Sequence, residues 1–315
     1  MNISELKKLA ENARYMREAG MALMFASGLL AFFLFLSPTP KYAPTEPIAI
    51  ASPTAPDAFA DISLQANAAI VYDLATREIL YEKNADAQLP LASLTKLLTV
   101  YSALAKLSPD TPVTIPPGVA SLEGPRTFNV GQTFSLADLA RLTLTASLND
   151  GAYAIASATA ERENRTQSEM LASAATALNL SQTYAINGSG LDENSAISGG
   201  YGSAYDVARL AGALVDKAPN ISAATTLDSA QAVSAGGTSF KVINTDPIVN
   251  TIPHLLLSKT GYTDLAGGNL VLVFDAGIGH PIAIIVLGSS LKSRFTDGTT
   301  LVASALAHFA GVSSL

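Results

Sequence analysis

The feature that most constrains this chain is residues 19–36, AGMALMFASGLLAFFLFL, an 18-residue run without a charge. Wound as a helix it is about 27 Å long, close to the hydrocarbon thickness of a bilayer. Lys7, Lys8, Arg14 and Arg17 precede it and only Lys41 follows closely. That asymmetry predicts residues 1–18 in the cytoplasm and the rest of the chain across the membrane. A cleaved signal peptide usually has a shorter apolar core and a small-x-small site just beyond it. Here Ser37-Pro38-Thr39-Pro40 follows, and the tidy site Ala58-Phe59-Ala60 lies far downstream. A buried core helix fits poorly beside a proline-rich tract. The run is therefore read as an uncleaved transmembrane anchor. Residues 37–60, with Pro38, Pro40, Pro44, Pro47, Pro53 and Pro56, are read as an extended tether. Residues 61–315 remain for one folded body.

Composition narrows what that body does. Hydrophobic residues make up 49% of the chain and charged ones 14%, enough for a sizeable core. The net charge is −7, and because the first 18 residues carry four basic and three acidic groups, the remainder holds −8. An acidic body without a basic cluster argues against nucleic acid as the partner. Cysteine is absent, which excludes thiol catalysis, disulfides and thiolate-held metals. His254, His280 and His308 are far apart and in no ligand motif, so no metal site and no cofactor are expected.

The order of elements suggests a fold class. Residues 68–73 and 78–82 read as strands joined by a turn at Ala75-Thr76-Arg77. A helix starts near Ser93, with Leu94, Leu97, Leu98, Tyr101 and Ala105 at helical spacing. Short strands are predicted at 113–115 and 127–130. Ser135 to Asp138 has capping-box spacing ahead of a buried helix, and 152–181 looks helical. After the turn-rich loop 187–192, a helix restarts at Tyr205. Residues 255–263, 269–274 and 282–287 read as strands, and 297–309 as a closing helix. Apolar residues on both registers of the last two strands imply cover on both faces. The prediction is one α/β body, with a mostly antiparallel sheet flanked by helices plus a helical subdomain.

Three fragments carry chemistry. Ser93 and Lys96 stand one helical turn apart, so their side chains can meet. A serine hydroxyl needs a base to take its proton, and a lysine serves only as the free amine. The spacing alone is weak, since Ser4 to Lys7 and Ser289 to Lys292 repeat it. Ser147 and Asn149 are polar groups beside an apolar run, readable as a cap for the next helix or as a catalytic pair in a cleft. Lys259-Thr260-Gly261 leaves a buried strand, readable as an ordinary strand exit or as a place where a ligand approaches closely. Ser-x-Asn and Lys-Thr-Gly each occur once, and the three fragments stand in one order.

That ordered triple belongs to the pattern of penicillin-binding proteins and class A β-lactamases. More narrowly, residues 66–310 resemble the D-alanyl-D-alanine carboxypeptidases, the low-molecular-mass penicillin-binding proteins or S11 peptidases. Pro90 to Thr99 is similar to that family's nucleophile region. Lys259 to Asp264 with Ala266-Gly267-Gly268-Asn269-Leu270 is similar to its third motif, and Gly190-Leu191-Asp192 to one of its loops. Leu148 departs, standing where the family commonly has Gly. The resemblance implies a β-lactamase/transpeptidase-like fold and a penicillin-sensitive hydrolase that trims D-Ala-D-Ala from peptidoglycan stem peptides. It implies Ser93 as nucleophile, Lys96 as its base, Ser147 as proton relay and Asn149 as a positioning group. Lys259, Thr260, Gly261 and Tyr262 would bind substrate, with the N–H groups of Ser93 and Tyr262 as oxyanion donors. Arg294 would add attraction for a carboxylate. An endopeptidase, a β-lactamase using Glu161 or Glu163, and a binding protein without turnover are the alternatives.

Overall fold

A computed structural model describes residues 2–36, 57–277 and 279–311. The chain separates into two units, residues 1–54 and 55–315. The first holds one helix, Ile3–Leu36, which is long and apolar enough to cross a membrane. The expected tether at 37–60 lies mostly outside the described residues. Its last residues do not: Ala58 and Phe59 are buried, and Phe59 stacks on Tyr81 with ring centroids 5.8 Å apart.

The second unit is built on a five-stranded, wholly antiparallel sheet. Its order is Leu255–Thr263, Gly267–Asp275, Pro281–Ser289, Ala68–Asp73, Ile79–Lys83. The amino-terminal hairpin thus adds to the far side of the carboxy-terminal meander, closing the chain on itself. Successive strand residues face opposite ways. Accordingly Ala68, Ile70 and Tyr72 enter one core while Ala69 and Val71 enter another. The second core is covered by the last helix, Ser293–Phe309, through Leu301, Val302 and Ala305. The first is covered by Thr95–Lys106, Leu136–Ala146 and Ala204–Lys217. Burial on both faces explains why these strands read as continuous apolar runs.

Two expectations fail for identifiable reasons. Residues 127–130 are not a strand, because the N–H groups of Thr127 and Phe128 are taken by the Asp150 carboxylate at 2.7 and 2.9 Å. The partner of strand Pro112–Thr114 is Thr133–Ser135 instead. The helical stretch 152–181 is two helices, Asn149–Glu163 and Gln167–Ala177. Asn164 ends the first in a left-handed conformation and Thr166 opens the second with a full capping box to Glu169. Between 218 and 254 lie a short helix, Pro219–Ala224, and a hairpin, Ser229–Val233 with Ser239–Ile243, neither of which the sequence pattern announced.

The opening hairpin depends on Asp73, which is buried and accepts the N–H groups of Ala75 and Thr76 at 2.8 and 3.1 Å. His280 Nδ1 lies 3.2 Å from its other oxygen. Burial pushes this carboxyl up, but the bonds from Thr76, His280 and Ala75 outweigh it and hold it below the usual range. A depressed carboxyl contributes stability above its unfolded value and loses it as pH falls through the folded one. Asp73→Ala is expected to cost about 1–3 kcal/mol in denaturant melts at pH 7. The gap to wild type should close as pH falls below about 4.

Candidate active site

The nucleophile turn forms because its backbone is forced. Residues Ala92–Leu94 make a single 3-10 turn before helix Thr95–Lys106. Ala92, fully buried, sits at φ +47, a region that residues with a Cβ rarely adopt. Three outside groups hold it there. The Asn269 amide donates to the Pro90 carbonyl at 3.0 Å while accepting the Gly288 N–H at 2.8 Å. A Cβ on Gly190, itself at φ +73, would lie 2.0 Å from the Ala92 carbonyl oxygen. A Cβ on Gly261 would lie 3.0 Å from the Leu91 carbonyl and 3.3 Å from Ser93 N. Loop 187–192 and the edge strand Leu255–Thr263 therefore press against the turn from two sides, and glycine is what lets them.

Lys96 points from the first helical turn into the interior and is fully buried. Its Nζ lies 2.7 Å from Ser93 Oγ, 2.9 Å from Asn149 Oδ1 and 2.8 Å from the Ser189 carbonyl. One turn on, Thr99 Oγ1 donates to the Gly188 carbonyl at 2.7 Å, pinning the same loop. Burial pulls the Lys96 amine down to about 7, with the Asp150 carboxylate pulling back. At neutral pH a large fraction of Lys96 is thus the free amine that a serine nucleophile needs.

Neither Ser147 nor Asn149 caps the start of the following helix. The helix after them begins at Asn149, and Leu148 before it gives no side-chain cap. Ser147 instead ends helix Leu136–Ala146 in a left-handed conformation, φ 60. That abrupt reversal aims Ser147 Oγ at Lys259 Nζ, 2.8 Å away, while Asn149 reaches Lys96. Of the two readings open from sequence, the geometry removes the cap.

Lys259 is also buried, and its Nζ donates to the Thr260 carbonyl at 2.7 Å. It lies well below its ordinary range through burial, then through the charges of Lys96 and Arg294, with Asp246 opposing. Thr260 Oγ1 lies 2.6 Å from the hydroxyl of Thr245. Arg294 donates to the Gly261 carbonyl at 2.6 Å, and Tyr262 is about half exposed at the rim. All eight residues singled out from sequence thus come to one place. Glu161 and Glu163 do not. They lie at the far end of helix Asn149–Glu163, about 20 Å along it, where Glu163 pairs with Lys106.

Sequence reasoning missed Asp150, Thr245 and Asp246, and assigned no role to Asn269. Asp150 is buried directly behind Asn149 and anchors residues 127 and 128. Its signal was adjacency to Asn149. The others are distant in sequence from what they touch.

The D-alanyl-D-alanine carboxypeptidase family profile matches residues 52–290. The chain belongs to this family of serine hydrolases. The carboxypeptidase DacF of Bacillus subtilis is 28% identical over 81% of this chain and 68% of its own length. A D-alanyl-D-alanine endopeptidase of Pseudomonas aeruginosa is likewise 28% identical, over 76% of each. Penicillin-binding protein D2 of Listeria monocytogenes, in its ampicillin-bound form, aligns with a TM-score of 0.66 and 27% identity. That alignment covers 78% of this chain and 98% of the other. DacD of Francisella tularensis shares the fold at a TM-score of 0.69 and 23% identity, over 79% of this chain and 72% of that one.

Because Gly261 and the nucleophile turn are in contact, Gly261→Ala is expected to displace Ser93 while leaving the fold intact. Acylation of Ser93, followed by penicillin labelling rate, should fall by about 100-fold. The melting curve should move little.

Proposed function

We propose that the protein is a serine D-Ala-D-Ala carboxypeptidase in which Ser93 forms an acyl-enzyme with a peptidoglycan stem peptide. The observation that carries this is Lys96, fully buried with its Nζ 2.7 Å from Ser93 Oγ and its amine drawn down by burial to about 7. Lys96 takes the Ser93 proton as Oγ bonds to the carbonyl carbon of the scissile amide. The oxyanion so formed needs two converging donors, a role we assign to the N–H groups of Ser93, which lies against Gly261, and of the next strand residue, Tyr262. As the C–N bond breaks, the Ser147 hydroxyl passes a proton to the leaving D-alanine amine. Lys259 restores that proton to Ser147 through the 2.8 Å contact. Water then attacks the ester, its proton passing through Ser147 to the Lys259 amine while the Lys96 ammonium returns its proton to the departing Ser93 oxygen, so that both lysines regain their starting states.

Asn149 orients Lys96 through its amide oxygen. Lys259 and Thr260 receive the substrate's terminal carboxylate, and that anion favours the protonated form of Lys259. Arg294, fixed on the Gly261 carbonyl, adds positive field from behind the strand. No cofactor or metal enters this scheme. β-Lactams acylate the same serine, as the ampicillin-bound Listeria relative suggests. The equal similarity of an endopeptidase supports a second reading, hydrolysis of D-Ala cross-links by the same residues. The apolar part of helix Ile3–Leu36 anchors the protein in the cell membrane, residues 1–18 inside and the catalytic unit outside.

Fluorescent penicillin should label the protein covalently at Ser93, and a stem pentapeptide should lose one D-alanine, both abolished in Ser93→Ala. Absence of an adduct on folded protein would refute the acyl-enzyme. A cross-linked dimer cleaved faster than the pentapeptide would favour the endopeptidase. Protonating Lys96 removes the base, so labelling should slow about tenfold per pH unit below about 7. In sealed cells, external protease should spare residues 1–18 and digest the tether.

A further inference from the structure

The small sheet beside the nucleophile turn presents a face that the proposed reaction does not use. Its strands, Leu89–Pro90, Gly200–Gly202 and Tyr184–Ala185, pair antiparallel, with Pro90 opposite Tyr201 and Tyr201 opposite Tyr184. Alternation sends these three side chains to one face and Ala185, Gly200 and Gly202 to the other. The second face is buried against the nucleophile turn and its helix. A Cβ on Gly200 would lie 2.3 Å from Thr95 Oγ1, and one on Gly202 3.0 Å from a Leu91 methyl. The first face is open. Tyr184 is 44% exposed, and Ile186, next on that side of its strand, is 38% exposed. The two tyrosine rings stack with centroids 5.1 Å apart and planes 20° from parallel. The Tyr201 hydroxyl accepts the Ser198 N–H at 2.9 Å. Both rings are therefore ordered before any ligand arrives.

This face adjoins the catalytic cleft on two sides. Pro90 lies three residues before Ser93, and its carbonyl is the one that Asn269 holds. Gly199 packs on loop 187–192, where a Cβ would lie 2.1 Å from the Leu191 carbonyl oxygen. The Ser189 carbonyl of the same loop meets Lys96. With the substrate carboxylate received by Lys259 and Thr260, the acyl part of the stem leaves the cleft away from them, along this loop. A cavity of about 300 Å³ lined in part by Tyr153, Asn187, Ser189 and Leu191 opens there. The reach also fits. Three residues and two strand spacings put Tyr184 at most about 20 Å from Ser93. A pentapeptide stem keeps four residues upstream of the scissile bond, about 14 Å when extended, and the sugar that carries it adds its own ring.

We propose that the Tyr184–Tyr201 face is a subsite for a sugar ring of the glycan that carries the stem peptide. The inference rests on the stem-peptide reading of the site. A pyranose has apolar C–H faces and a polar rim, which matches paired phenol rings with a hydroxyl at each edge. Because the Tyr201 oxygen accepts from Ser198, its proton is left to donate to a sugar oxygen. Pro90, Tyr184, Ile186 and Tyr201, none more than half exposed, fall well short of the roughly 800 Å² per partner in a stable protein interface. The charge of −8 outside the first 18 residues disfavours an anionic lipid surface as the occupant.

The test is D-alanine release by the full chain in detergent from two substrates, the free stem pentapeptide and the same pentapeptide on its disaccharide. Wild type should show a KM about tenfold lower for the disaccharide substrate. Tyr184→Ala should raise that KM alone to the level of the free peptide, with kcat unchanged and penicillin labelling at the wild-type rate. Tyr184→Phe keeps the ring and should keep most of the preference. Equal KM values in wild type overturn the proposal. So does an Ala variant that loses equally on both substrates, which would make Tyr184 structural, or a Phe variant that loses as much as Ala. If Tyr184→Ala does not fold, Ile186→Asn gives an independent reading: the preference should shrink severalfold, and an unchanged preference refutes the subsite. Loss of self-association in Tyr184→Ala, read by light scattering, would assign the face to a second copy of the chain instead. No D-alanine from either substrate in wild type would remove the carboxypeptidase reading itself, whereas release without preference removes only the sugar subsite.

Discussion

The site depends on one buried amine. Lys96 lies beneath the nucleophile turn with its nitrogen against a hydroxyl, an amide oxygen and a backbone carbonyl. An ammonium in that position loses its hydration, and the depressed affinity for a proton is the direct consequence. The same three contacts join three separate parts of the chain: the helix from residue 95, the start of the helix at 149, and loop 187–192. Catalytic chemistry and tertiary closure are thus the same set of bonds. The body of the fold has to be in place before the lysine becomes a base.

Around that amine the backbone is held in conformations it would not choose. Ala92 and Ser147 both occupy the left-handed region, one immediately before the nucleophile and one at the second hydroxyl. Such residues persist where surroundings over-determine them. Here the surroundings are identifiable: Asn269 on Pro90, Gly190 against Ala92, Gly261 against Leu91, and Lys259 on Ser147. Gly261 matters because of what a Cβ would strike, and Gly190 both for that reason and for its left-handed φ of +73. The two-faced sheet supplies the rigidity, since its edge strand carries the third motif while its neighbour strand carries Asn269.

The second buried lysine gives the cleft its electrostatic problem. Two amines and a guanidinium are buried in this part of the fold, and Lys259 binds its proton less tightly through burial first and then through the charges of Lys96 and Arg294. Two buried acids offset this charge in part, Asp150 for Lys96 and Asp246 for Lys259 and Arg294. Asp150 is fixed by the backbone of residues 127 and 128, and Asp246 by Ser258 and Ile248.

The sequence by itself determined the apolar run, the strands at 68–73 and 255–263, and the ordered triple of motifs. Each is a local signal: an uncharged stretch, an apolar period, or side chains within a few residues of one another. It also contained the Asn164 and Thr166 boundary, which alanine-rich flanks obscured. Only the tertiary structure decided that Ser147 and Asn149 reach two different lysines and that residues 127–130 serve Asp150 rather than a sheet. Only it placed Thr245 and Asp246 against the edge strand. These pairings join groups from about a dozen to more than a hundred residues apart, and no periodicity encodes them. They follow from packing two cores against one sheet, which brings distant polar groups into a dry space where each must find a partner.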